Sequence, residues 1–358
     1  MDRLIMADGA TMTVGVREIG CRLNNDAASF DKAADNLRRA AQIAMSAETL
    51  RQLVEEEGRR VIAAQGKGEL RPAFQASDCA VPEDPARRRI YVGVDGVMVP
   101  VVTDTEKQKR REKVVLKRRQ RPTWKNRPKP LPPVRRGADQ PFKEFKTITF
   151  YNENNSRRHI LLSRCKRTRV SSLVRREAGR LKFAEADERI GNVDGASWIP
   201  PQLEGPELNL SALGLDIYHL SENVHRTKRA TFGEDNPEGT KWSDDLMHTF
   251  KHKGYEEARE SLLAWRTGLR TRKRAAADRL LNYVVERRDM ISYPEFVAKG
   301  WQIGSGPTEA RCKTGTARIK RSGQRWDAVH AEQVAALTNI RDSGQWNLHW
   351  TNLIPLKT

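Results

Sequence analysis

Apolar positions recur at three- and four-residue spacing from Phe30 through Ala33, Ala34, Leu37 and Ala41, which predicts an amphipathic helix. Ser46 reads as the N-cap of a second helix, with Glu48 in its first turn and Leu50, Leu53, Val54, Val61 and Ile62 on its apolar face. Helical periodicity then stops, and residues 66–88 read as a linker. The pattern changes again at Arg89–Gly96, a β-branched run ending in Asp95-Gly96, with Val97, Met98, Val99, Val101 and Val102 continuing as extended chain. Asp-Gly also favours a hairpin turn at that point. Phe145–Tyr151 and Arg158–Ser163 read as two further strands, and 171–187 as a helix. Arg189–Asp194 is another short strand ending in Asp-Gly, and Leu215–Leu220 a strand leading into a helix through Glu222 and His225. Residues 242–288 are helical and polar, and Ala328–Ile340 predicts a last helix before a tail rich in tryptophan.

Charge adds a partner to this outline. The 358 residues carry 65 Lys and Arg against 46 Asp and Glu, a net charge of +19, which favours a polyanion and above all nucleic acid. Fourteen of the basic residues lie between Lys107 and Arg136, with Glu112 as the acid among them. Prolines 122, 128, 130, 132 and 133 break regular structure there, so this stretch reads as a flexible basic loop for phosphates. No apolar run reaches bilayer-spanning length and no secretory leader is evident, so a cytoplasmic protein without membrane contact is expected. Cys21, Cys79, Cys165 and Cys312 are too widely separated for a zinc knuckle and read as free, buried thiols.

The chemistry centres on Trp301–Trp326. Gly304-Ser305-Gly306-Pro307 is a sharp turn into a helix, with Glu309 in its first turn and Arg311, Lys313, Arg318, Lys320, Arg321 and Arg325 following. One acid at the head of a basic helix suits a divalent metal held beside a phosphate backbone, although the same acid also complements the helix dipole. Asp95 and Asp194 each end a strand. The order of elements matches an RNase H-like α/β fold with a mixed sheet and an all-helical insertion before its last catalytic helix. In that fold Asp95 and Asp194 stand on adjacent strands and Glu309 on a helix packed across them. Such a trio suits two Mg²⁺ ions, with Mn²⁺ able to substitute.

The segments VGVDGVMVP, FKEFKTITFY, VDGASWIP, LDIYHLSENVH, GWQIGSGPTEARCK and RIKRSGQRW together resemble the bacterial insertion-sequence transposases of the ISKra type, DDE enzymes of the RNase H-like superfamily. The resemblance spans roughly residues 20–350 and is most specific in IGSGPTEA and RSGQRW. It implies Asp95, Asp194 and Glu309 as the DDE triad and metal ligands. It also implies Asp216 and His219 as an accessory D-x-x-H element that helps hold the cut strand. The sequence departs from the family pattern in reading Asn192-Val193 before Asp194, where a glycine is expected, and in lacking a cysteine-rich N-terminal region.

The expected organisation is an N-terminal tail (1–25), a helical region that can form a helix-turn-helix (26–65), the linker (66–88), and a catalytic core (89–241 and 293–345). A helical insertion (242–292) interrupts the core, and a C-terminal tail (346–358) closes the chain. The implied activity is DNA transposition: cleavage at the ends of an insertion sequence and joining of the 3′-hydroxyl to target DNA. The partners are double-stranded DNA, as terminal inverted repeats and target, and further copies of the chain on that DNA, in a bacterial nucleoid. Lys109, Arg110, Arg111, Lys117, Arg118 and Arg119 join the basic residues after Glu309 as the expected DNA contacts. An inactive DNA-binding derivative, and an RNase H-like nuclease that cuts without joining, are the alternatives.

Overall fold

The computed structural model describes residues 12–120, 139–351 and 353, the side chains of Arg118 and Arg119 excepted. Their fold is mixed α/β, with a mixed, open six-stranded sheet. β1 is Ala80–Val81, β2 Asp84–Pro100, β3 Phe142–Asn152, β4 Arg158–Ser163, β5 Glu188–Val193 and β6 Ala212–Leu215. The order across the sheet is β4-β3-β2-β5-β6, with β1 paired to β2 off this path. β2, β3 and β4 pair antiparallel, whereas β5 joins β2, and β6 joins β5, in parallel.

β2 is the axis of the molecule. Successive side chains leave a strand on opposite faces. Ile90, Val92 and Val94 therefore enter the largest core, with the helices of the insertion. Tyr91 lies on the other face in a small cluster with Tyr151, Ile190, Phe296 and Trp301, while Val97 and Val99 join a second large core. Gly93 and Asp95 share the face of Tyr91. The Asp95-Gly96 pair makes no hairpin: both residues stay in the ladder, opposite Thr147 and Lys146 of β3, because eleven consecutive pairings outweigh one turn-forming dipeptide.

The helices are α1 (Val14–Asp26), α2 (Phe30–Ala41), α3 (Ala47–Lys67), α4 (Asp104–Arg119), α5 (Val170–Arg180), α6 (Pro200–Leu203) and α7 (Ile217–Phe232). They continue with α8 (Pro237–His252), α9 (Tyr255–Thr267), α10 (Thr271–Val285), α11 (Tyr293–Ala298), α12 (Gly306–Thr314), α13 (Ala328–Asp342) and α14 (Trp346–Thr351). Ser29 and Ser46 cap α2 and α3, each accepting a backbone N–H in the first turn. α3 packs on α13 so closely that a Cβ on Gly58 would lie 2.0 Å from the Gln333 carbonyl oxygen.

Several expectations need correction. Residues 14–25 of the expected tail belong to α1, which is capped by Thr13 and has Val14, Cys21 and Asn24 buried. The expected linker is part of the core, since Leu70, Phe74, Ala76, Cys79 and Val81 are buried and its end already belongs to β2. The basic loop begins as a helix: α4 carries Asp104 and Glu106 in its first turn, and Lys and Arg are good helix formers where proline is absent. Residues 121–138 of that loop lie outside the described residues. Leu215–Leu220 is not one strand, because Asp216 caps α7 and ends the extended segment. The helical insertion starts at Pro237 and comprises α8, α9 and α10. In the expected C-terminal tail, α14 buries Trp346 and Trp350. The four cysteines are free, and Cys21, Cys79 and Cys312 are buried, as expected.

Candidate active site

Asp95 comes from the middle of β2, and Asp194 from the residue that follows β5. β2 and β5 are parallel neighbours in register from Arg89↔Glu188 to Val92↔Gly191. Carried along both strands, that register brings Asp95 level with Asp194. α12 lies across β2 and β3 and carries Glu309 in its first turn. Gly93 makes this approach possible, since a Cβ there would sit 1.9 Å from Thr308 Oγ1.

Each carboxylate has a distinct setting. Asp95 Oδ1 accepts from the Gly96 N–H at 2.5 Å, and Oδ2 accepts from the Cys312 thiol at 3.0 Å. Burial, then the charge of Asp95, pushes the Cys312 thiol up, so it remains a donor. Asp194 Oδ1 accepts from the Ala196 N–H at 2.8 Å, within a turn that Gly195 makes at φ +83°. Arg287 holds the same turn by donating to the Gly195 carbonyl at 2.8 Å. Burial, and after it the like charge of Asp95, raises the Asp194 carboxyl above its ordinary value, although the Ala196 N–H opposes the shift.

Glu309 is held by a clamp from α7. Asp216 is buried at the α7 N-terminus, where Oδ1 accepts from the N–H groups of Tyr218 (2.6 Å) and His219 (3.1 Å). Its Oδ2 accepts from the Ser305 backbone N–H and from the Ser305 hydroxyl at 2.5 Å. Ser305 Oγ also lies 3.1 Å from Glu309 Oε1, and its single proton serves one carboxylate at a time. His219 Nδ1 stands 3.5 Å from Glu309 Oε1 and 3.7 Å from Asp216 Oδ1, as an ion pair with both. Asp216 raises the His219 imidazole to about 9, against the opposing effect of burial and with help from Glu309 and Asp194. Burial alone would raise Asp216, but His219 and the Ser305 donors outweigh it and hold the carboxyl down to about 2.

Two acidic groupings compete as a metal site. Ligand atoms of Asp216, His219 and Glu309 all lie within 4.8 Å of one another; among the described residues Asp95, Asp194 and Glu309 do not converge that tightly. Chemistry favours the second set nevertheless. A carboxylate offers about four acceptor positions, and the four donors on Asp216 fill them. Asp216 and Glu309 favour a proton on His219, so a metal there would have to displace it. That trio is a charge clamp that orients Glu309. Asp95, Asp194 and Glu309 are hard oxygen donors, half-buried, and no protein cation forms an ion pair with Asp95 or Asp194 among the described residues. Mutual repulsion between Asp95 and Asp194 is what a divalent cation relieves, so these residues fit Mg²⁺.

The expected DNA contacts divide into two groups. Lys109, Arg110 and Lys117 are exposed on α4 and Arg111 is half-buried there; Arg118 and Arg119 belong to the same helix, with side chains outside the described set. Lys313, Lys320, Arg321 and Arg325 are exposed beyond Glu309. Arg311 is half-buried and faces Asp342 at 3.6 Å. Arg318 corrects the expectation outright: it is 2% exposed, donates to Asn24, and lies over the rings of Phe30 and Trp326. Ser305 and Cys312, which touch the carboxylates, were not singled out from the sequence as site residues. Their position, four residues before and three after Glu309 on a helix, was the available signal.

The fold and site together define a mixed α/β protein with acidic residues gathered where two parallel strands meet a crossing helix. No protein-family model matches the chain, and no curated protein matches it.

Proposed function

We propose that this protein is a DNA transposase of the DDE type, built on an RNase H-like core. The observation that carries the reading is the placement of Asp95 and Asp194 on adjacent parallel strands, with Glu309 on a helix packed across the same sheet. The strongly basic chain supplies the second support, because a carboxylate site for phosphoryl transfer needs cations nearby to hold the polyanion.

Asp95, Asp194 and Glu309 would hold two Mg²⁺ ions. Bound there, the metal would supply activation of a water or a 3′-hydroxyl and neutralisation of the leaving oxygen at phosphorus. Ser305 and His219 hold Glu309 Oε1 beside Asp216, and the Cys312 thiol donates to Asp95 and restrains its side chain. Lys313, Lys320, Arg321 and Arg325, with the exposed cations of α4, hold phosphates without reading bases. Recognition of the terminal repeats falls to α2 and α3, and the active species is a multimer on DNA in a bacterial nucleoid.

The test is Mg²⁺-dependent cleavage of DNA from either side of the chain's own coding sequence, wild type beside Glu309→Gln. Nicking by the wild type, with binding but no nicking by the variant, is expected. Equal binding with no cleavage by either protein overturns the enzymatic reading, and hydrolysis without strand joining makes the protein a nuclease.

A further inference from the structure

A cleft of about 560 Å³ opens beside the clamp, between α7, α8 and the turn that leads into α12. Ile217 and Tyr218 contribute from the first turn of α7, Met247 and Lys251 from one face of α8, and Ile303 and Gly304 from the turn. Ile217, Met247 and Ile303 are half-buried and pack against the main core, giving the cleft an apolar lining. Tyr218 is 68% exposed, although its backbone is fixed by donation to Asp216 at 2.6 Å. Isolated exposed aromatics are ordinary. This one is not isolated: it borders a cleft of ligand size, next to the residue that orients Glu309. Its ring lies near Gly304, where a Cβ would approach Cε2 to 3.4 Å.

The polar rim suits one class of occupant. Lys251 brings a cation for a phosphate, while Ser221, His225 and Asp244 offer hydrogen-bonding groups for a base edge. A different cavity of about 590 Å³, near Trp326, is the weaker candidate, because its aromatic rings, Phe30 and Trp326, are already covered by the Arg318 guanidinium.

We propose that the cleft takes one unpaired nucleotide of the DNA strand adjoining the cleaved phosphate, with its base stacked on Tyr218 and its phosphate near Lys251. The inference deepens the transposase reading and rests on it for the identity of the strand. An aromatic face binds any base, so Tyr218 contributes affinity and strand placement without sequence preference.

The probe is a duplex with a single-stranded 3′ extension carrying 2-aminopurine at successive positions, bound to the full chain with Ca²⁺ in place of Mg²⁺. Wild type is expected to quench one position selectively. Tyr218→Ala is expected to lose that quenching and roughly tenfold in affinity for the extended DNA, while Tyr218→Phe and Tyr218→Trp retain both. Lys251→Gln is expected to weaken binding and flatten its salt dependence while leaving the quenching of bound DNA intact. Quenching at no position, or equal quenching by wild type and Tyr218→Ala, overturns the proposal. Because Tyr218 is exposed, the alanine variant should fold, which circular dichroism checks. Cleavage of the same DNA in Mg²⁺ separates the two claims: selective quenching without cutting supports the cleft and removes the enzyme, whereas cutting without quenching does the reverse.

Discussion

Asp216 shows how much one buried carboxylate organises. Its four donors come from both sides of the site, two from α7 and two from Ser305, so it ties the start of one helix to the start of another. Its folded value of about 2 lies below the ordinary aspartate value of about 3.9, so the ionised form stabilises the fold. That contribution is complete above about pH 4 and is lost as the pH falls toward about 2. Asp216→Asn is expected to be less stable than wild type at neutral pH, and to lose less stability across that acidic window. Urea melts at a series of pH values check this; parallel pH profiles for the two proteins would exclude Asp216 as the source. The sequence pointed to Asp216 and His219 as a pair, but not to the direction of their effect. An acid inside the run from Leu215 to Leu220 looks like part of a strand until its partner Ser305, far away in the chain, is in place.

The decisive contact between elements is α12 on β2. Gly93→Ala puts a methyl 1.9 Å from Thr308 Oγ1 and 2.9 Å from its Cβ, so Thr308 must turn and its helix must give way where turning does not suffice. Overpacking of this kind costs roughly 1–3 kcal/mol. The shift also carries Glu309 away from Asp95, so a lower melting temperature together with loss of Mg²⁺-dependent cleavage is expected; a wild-type melting temperature would mean that the contact yields. Strands β3, β4 and β5 and helix α13 were legible as short, largely apolar runs buried on both faces or all round, and α2 and α3 by the helical period of one buried face. α4 was not, because its neighbouring prolines suggested a loop and it has no apolar stripe. Its first turn is tied down instead by ion pairs, Lys107 to Asp327 at 2.8 Å and Glu106 to Arg325 at 2.7 Å.

For the whole molecule, the proposed DNA binding and the net charge of +19 together predict an affinity that falls with salt. Replacing Lys109, Arg110 and Lys117 together by Gln is expected to reduce the slope of log K against log salt by about 2–3, as measured by fluorescence anisotropy on duplex DNA. An unchanged slope would place the phosphate contacts elsewhere, on the exposed cations beyond Glu309. Arg318 belongs to neither group, since its guanidinium is used within the fold.

The amino-acid sequence alone determined the excess of positive charge, the short strand before Asp194, and the helix that begins at Gly306-Pro307 with Glu309 in its first turn, because these are properties of composition and of near neighbours. Only the tertiary structure decided that β2 runs straight through Asp95-Gly96, that Arg318 is a core residue, and that Asp216, His219 and Glu309 come together. Each of those outcomes depends on partners distant in the chain: the β3 ladder, Asn24 with two aromatic rings, and Ser305 at the head of α12. Local propensity carries no information about such partners, and burial against them outweighs it.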